Sequence, residues 1–465
     1  MRRRGVRGRW WLSLHRAWCG RDPGGRRDTT SLEPEIEAPV DSRPALLGGK
    51  PIIEGELPPE NTIDDAEIAA VTRVLQSGEL SGFLASAGDE FFGGKEVRKL
   101  EEDFRKRFDV KHAIGLNSAT TGLHAALVAC GVGAGDQVIL PPTTMSATAA
   151  SVLLAGAVPV FADIDPLTFN IDPASVEARI TDRTAAIIAV NLFGQPAELD
   201  ELRRIADAHR LRLIEDNAQS PAALFDGRWA GTIGDAGVFS LNRNKIVQSG
   251  QGGVVVTNDD NIAFRAQLVR NHGEVVLDQM PDKPYEPLVG SNYRLTEPIA
   301  AIANIQMGRL EKLTADRVAL AEQLTEGLSG IDCLHPPTIH PKATHVYFVY
   351  PMRFDSEAAG MPRDLFVKAM TAENLPIYAG YTRPIYLYPV FQHKPDKRVP
   401  ALFGQPLPDY SAGICPNAER AHSHDLVLTD ICRYPLRSEH VELFVQGVEK
   451  VLGAAKELVR SAADR

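Results

Sequence analysis

From about residue 111 the chain alternates short apolar runs with helix-forming stretches, and this rhythm restricts its fold more than any other feature. The apolar runs lie at 137–140, 158–162, 186–190, 211–214, 236–240 and 253–257. Most are separated by alanine- and leucine-rich segments such as 121–130, 146–154 and 198–209. A strand buried on both faces reads as an unbroken apolar run, and parallel neighbours need a crossover connection that is usually a helix. The rhythm therefore predicts an α/β fold: a mostly parallel central sheet flanked by helices.

Two helices are predicted ahead of this region. Asp64 and Glu67 have capping-box spacing, Ile68, Val71 and Leu75 recur on one face, and Gly78 supplies a stop. A second amphipathic helix carries Val97, Leu100, Phe104 and Phe108, with a glycine-rich, mobile-looking loop at 77–94 between the two. After Gln306 the pattern changes to a long helix at 310–328, a strand-like 345–350, a helix at 363–372 and a terminal helix at 439–459. This predicts a smaller C-terminal α+β domain over 310–465, after a large α/β domain with an N-terminal helical segment over 44–309.

Residues 1–27 hold nine arginines and one aspartate, which leaves a net −18 on the rest of the chain. An acidic body repels a phosphate backbone, so nucleic acid is not an expected partner. The apolar stretch at 10–14 is too short for a secretory segment; the basic character also suits a mitochondrial-type presequence, but residues 1–43 read rather as a basic, disordered extension or an over-long start, because 23–44 continues as a polar, proline-containing linker. No apolar run approaches the ~20 residues of a membrane span. The five cysteines are scattered and include no C-x-x-C pair, which argues against a disulfide framework and structural zinc. A cytoplasmic enzyme is the expectation.

Four stretches carry candidate chemistry. Lys245 follows the apolar run at 236–240 and precedes Gly250, Gly252 and Gly253, so it can be carried into a pocket where burial would free a nucleophilic amine. Asp216 arrives at the carboxyl end of the run at 211–214, the end where open α/β sheets bind ligands. There it could serve a protonated ring nitrogen or cap a helix. Ser118, Ala119, Thr120 and Thr121 open a helix whose free N–H groups suit a phosphate, though such residues begin ordinary helices too. Ser240 could add a hydroxyl. The polar segment around Asn292 reads alone as a solvated connection.

Taken in order, Asn117 to Thr120, Glu215 and Asp216 with Gln219, Ser240 with Lys245, Gly250 to Gly253, Asn271 to Gly273 and Asn292 to Arg294 resemble the DegT/DnrJ/StrS family of sugar aminotransferases, fold type I enzymes of pyridoxal phosphate. The resemblance runs from about Pro44 to the C-terminus. It implies that Lys245 holds the cofactor as a Schiff base, that Asp216 pairs with the pyridine nitrogen and that Gln219 approaches the phenolic oxygen. Ala119, Thr120 and Ser240 would hold the phosphate. Asn292 would reach the cofactor of a second subunit, since the family shares its sites across a homodimer.

Met145 stands where many members place an aromatic residue over the ring, and a thioether can cover a ring face. Gln251 replaces a common glutamate, and Arg243 and Asn244 precede the lysine where other residues are usual; these changes bear on substrate choice. The implied reaction moves an amino group from glutamate or glutamine to a nucleotide-linked keto-sugar or a keto-cyclitol. The segment at 380–389, together with 44–51, is similar to members acting on inosose-type cyclitols, and Tyr386 and Tyr388 read equally as substrate contacts or as core or interface aromatics. A pyridoxal phosphate sugar dehydratase and a non-catalytic regulatory member are the rivals; the first typically replaces the lysine with histidine.

Overall fold

The computed structural model describes residues 42–280, 286, 288–393, 399–402, 404 and 406–464; the extension expected at 1–43 falls almost wholly outside them. Helix α1 (Asp65–Ser77) has the predicted capping box at Asp64 and Glu67, and its C-cap Gly78 adopts φ 76°, which costs glycine nothing. Its buried face is not the predicted one. Ile68 and Leu75 are 60% and 57% exposed, while Glu67, Ala70 and Val74 are buried. Small residues let α1 approach Ala301 on α7 (Glu297–Met307), and buried Glu67 accepts from Gln306 Nε2 at 2.7 Å. Polar pairing and close approach thus outweigh the larger apolar side chains in setting this face.

Helix α2 (Lys95–Phe108) buries Val97, Leu100, Phe104 and Phe108 as its spacing requires. The loop at 77–94 is tied down rather than loose: Phe91 is fully buried, Glu297 N donates to Leu80 O (3.1 Å), and Asn271 Nδ2 donates to Leu84 O (2.9 Å).

The central sheet has seven strands: β1 (His112–Leu116), β2 (Gln137–Leu140), β3 (Val158–Phe161), β4 (Thr184–Val190), β5 (Arg212–Asp216), β6 (Ala236–Ser240) and β7 (Gly253–Thr257). Their order across the sheet is β1-β7-β6-β5-β4-β2-β3. Pairing is parallel from β6 through to β3, with helices α3 (Ala119–Ala129), α4 (Ala147–Leu154) and α5 (Leu199–His209) in the connections. The run at 253–257, read as one more member of the parallel series, is antiparallel to both neighbours. Its link to β6 is a turn closed on itself by Leu241 N to Gly252 O and Arg243 N to Gly250 O, which returns the chain beside the strand it left; helix α6 (Asp260–Arg270) follows β7. β1 escaped prediction because Gly115 interrupts a five-residue run.

A second, four-stranded antiparallel sheet, ordered β8-β9-β11-β10, is built from β8 (Leu334–His335), β9 (Tyr350–Phe354), β10 (Tyr378–Ala379) and β11 (Leu426–Thr429). Around it pack α8 (Leu310–Gly327), α9 (Arg363–Ala372) and α10 (Ser438–Gly453), with Tyr350, Met352, Phe366, Val427 and Phe444 in one core. The predicted terminal helix is broken at Ala454, beyond which α11 spans Ala455–Ala463. The predicted strand at 345–350 is a turn, and only at Tyr350 does β9 begin. Among the described residues no helix is long and apolar enough to cross a membrane.

Candidate active site

The site lies along the carboxyl edge of the parallel strands. Asp216 is the last residue of β5 and only 6% exposed. Its Oδ2 accepts from Thr148 Oγ1 at 2.9 Å and its Oδ1 from Ala218 N at 3.2 Å. Burial pushes its carboxyl above the usual range; Thr148, Ala218 and the Lys245 charge pull the other way. This buried carboxylate has no salt-bridge partner among the described residues, so a cationic ring nitrogen fits it. Glu215 beside it points to the other face, as strand alternation requires. There it accepts from Gly231 N, Ile233 N and Gly234 N at 2.6–2.8 Å, a structural role.

Lys245 sits in the long turn between β6 and β7, which is closed by Leu241 N to Gly252 O and Arg243 N to Gly250 O, each 3.0 Å. Burial of its amine pulls the pKa down to about 8, partly opposed by Asp216. At that value about a tenth of the amine is the neutral nucleophile at pH 7. The amine lies over the Phe348 ring, 4.3 Å from its centroid. Gln219 is fixed by Phe193 N, which donates to its Oε1 at 2.8 Å; its Nε2 then points out to Tyr381 OH at 3.2 Å.

The helix-start residues come together through sheet register. Leu116 pairs with Gly253, and Gly253 with Ser240, so the ends of β1, β7 and β6 form one row. At the head of α3, Ser118 accepts from Thr121 N (3.1 Å), and the amides of Ala119 and Thr120 precede the first helical hydrogen bond. A Cβ on Gly253 would lie 2.5 Å from Ala119 N. Glycine therefore keeps this amide cradle open, and Ser240, whose Oγ accepts from Asn242 N at 3.3 Å, still has a proton to donate. Gly253→Ala is expected to cost about 1–3 kcal/mol, because the clash is with backbone that cannot swing aside. Thermal melting would register it, with weaker retention of cofactor.

Met145 and Asn292 stand further out. Met145 is 55% exposed and three residues before Thr148; its sulfur accepts from Ala147 N at 3.1 Å. Asn292 is exposed and accepts from Arg294 Nε (2.8 Å), while Tyr293 O accepts from Asn117 N (2.9 Å) at the end of β1. Neither side chain is hydrogen-bonded to Lys245, Asp216 or Gln219. Gln251 Oε1 accepts from Asn242 Nδ2 at 3.2 Å within the lysine turn. Tyr386 is fully buried and bonded to Glu419, a core residue. Thr148, Phe193 and Phe348 carry no mark in the sequence and reach the site by contacts distant along the chain, and within the segment at 380–389 it is Tyr381 that meets Gln219.

An amine poised for imine chemistry, a buried acid for a ring nitrogen and an open amide cradle for phosphate fit pyridoxal phosphate, and the fold is that of the fold type I aminotransferases. The chain belongs to the DegT/DnrJ/EryC1/StrS aminotransferase family, which it matches over residues 61–402. It is 38% identical over 305 residues to GDP-perosamine synthase of Caulobacter vibrioides, covering 64% of this chain and 80% of that one. It is 36% identical to a pleiotropic regulatory protein of Geobacillus stearothermophilus over 365 residues, 78% and 90% of the two chains. With L-glutamine:2-deoxy-scyllo-inosose aminotransferase of Streptomyces kanamyceticus it shares 37% identity over 363 residues, 75% and 83%. Among solved structures, S. venezuelae DesV in complex with a ketimine intermediate aligns with TM-score 0.70 and 30% identity over 83% of this chain and 94% of that one.

Proposed function

We propose that this enzyme moves an amino group from glutamate or glutamine to a keto-sugar or keto-cyclitol, using Lys245 as the cofactor's attachment point and as the base. The observation that carries the reading is the half-buried Lys245, whose amine lies 4.3 Å from the Phe348 ring centroid and feels the charge of the buried Asp216 at the end of β5. When bound, pyridoxal phosphate supplies an electron-poor ring that stabilises negative charge at the donor's Cα. Lys245, once displaced by the donor, would take the Cα proton and return it to the cofactor carbon on the far side of the amino nitrogen. Asp216 keeps a proton on the ring nitrogen through its negative charge. Gln219, with Oε1 committed to Phe193, has an Nε2 hydrogen to offer the phenolic oxygen. Ala119, Thr120 and Ser240 hold the phosphate, and Met145 covers the ring.

The exposed Asn292 suits a role in a second subunit's site, which makes a homodimer the working unit. We place the cofactor-binding part at 44–309 and the smaller part at 310–465, in a cytoplasmic enzyme. Glutamine as donor follows the cyclitol relative's name, and the nucleotide-linked acceptor follows the perosamine synthase. Lys245 disfavours the dehydratase reading. The regulatory relative makes passive binding the reading to exclude, and conversion of bound cofactor to its aminated form on adding glutamine does so; no conversion with any amino acid would sustain it.

The base must be neutral to act. At saturating donor the single-turnover rate is expected to rise with pH through about 8 and level off above, because protonation below that value blocks Lys245. Stopped-flow spectra from roughly pH 6 to 10 check this, and a flat or falling profile counts against Lys245 as the base.

A further inference from the structure

The turn that brings Phe348 to the lysine is held by unusually costly features. Tyr347 adopts φ 49°, a left-handed conformation that a bulky residue avoids. Arg317 on α8 is 5% exposed and spends its Nη1 on the carbonyls of Tyr347 (3.4 Å) and Phe348 (3.0 Å), with its charge balanced by Glu60 at 2.9 Å. His345 accepts from Tyr347 N at 2.9 Å through Nδ1 and stacks on the Tyr347 ring, centroids 4.1 Å apart. Burial holds this imidazole's pKa down at about 3, so it stays a neutral acceptor.

Across from the turn, Gly194 O accepts from Val346 N (2.9 Å) and Phe193 O from Val349 N (3.4 Å). Gly194 has φ +116°, and a Cβ there would come within 2.6 Å of Tyr347 N and 2.8 Å of Phe348 N. The same Phe193 fixes Gln219. A strained residue, a buried arginine and a close glycine approach all converge on four residues. Their product is one ring face under one amine.

We infer that Phe348 is a positioning residue: its ring seats the Lys245 amine, and the turn from His345 to Phe348 is built to hold it there. The inference rests on Lys245 being the attachment residue. The ring face is electron-rich and favours the charged amine. Asp216 is the charged group acting on that amine; Tyr381, held protonated up to about 12, and neutral His345 add no charge.

The test uses aminated holoenzyme, in which Lys245 is free, with competitive acetylation of Lys245 followed by mass spectrometry across pH. Phe348→Leu, and Phe348→Met as a second variant of nearer volume, are expected to lower the Lys245 midpoint by ~0.5–1 pH unit. They should also slow the donor half-reaction about tenfold through misplacement of the base, with KM unchanged. Phe348→Tyr should restore both. Folded Leu or Met variants that titrate as wild type would overturn the inference, as would failure of Phe348→Tyr to rescue. The attachment reading is separately exposed: in the wild type, Lys245 must resist acetylation before amination and accept it afterwards.

Discussion

Lys245→Ala is expected to reduce the donor half-reaction by at least about 10⁴-fold while leaving the fold intact. The loss is large because one side chain supplies both the covalent attachment and the proton transfer. Stability should hold or rise slightly, since a desolvated amine costs the folded state more than an alanine methyl does. Burst kinetics with glutamine or glutamate measure the first effect and thermal melting the second. Partial recovery on adding a small primary amine would identify the missing group as a base. A variant retaining a tenth of wild-type turnover would mean that another residue does this work.

Asp216→Asn carries the second largest effect, a loss of about 10²–10³-fold. The amide keeps the shape, so Thr148 and Ala218 can stay in place while the negative charge is removed. The ring nitrogen then loses the anion that keeps it protonated. The substitution has a second consequence through the lysine. Asp216 raises the Lys245 pKa, so its neutralisation should move the ascending pH limb below 8. Slower turnover with a limb shifted to lower pH is the expected pair of results; an unshifted limb would show that the two groups do not share a site.

The parallel part of the sheet was legible because both-face burial writes unbroken apolar runs into the chain, and the helices between them have the right length. Asp216 and the Ala119 helix start were legible because each sits at an element end, where residue type and position coincide, and Lys245 because it lies in a glycine-rich turn between two apolar runs. What stayed hidden depends on distance in sequence. The antiparallel direction of β7 follows from the hydrogen-bonded turn at 241–252, which composition does not mark. The burial of Glu67 instead of Ile68 reflects Gln306 and Arg309, more than two hundred residues away. Thr148, Tyr381 and Phe348 meet the site from the α4 start and from beyond the long helix α8. The turn at 345–348 reads as a strand because its left-handed tyrosine carries no glycine or asparagine to announce it.

Lys245, within reach of the Asp216 charge, is proposed as the residue that bonds to pyridoxal phosphate. The most direct test is borohydride reduction of the purified holoenzyme followed by peptide mass spectrometry. The expected result is a single phosphopyridoxyl adduct on Lys245, absent when glutamine or glutamate is added before the reductant. An adduct on any other lysine, or one on Lys245 that survives excess donor, would contradict it.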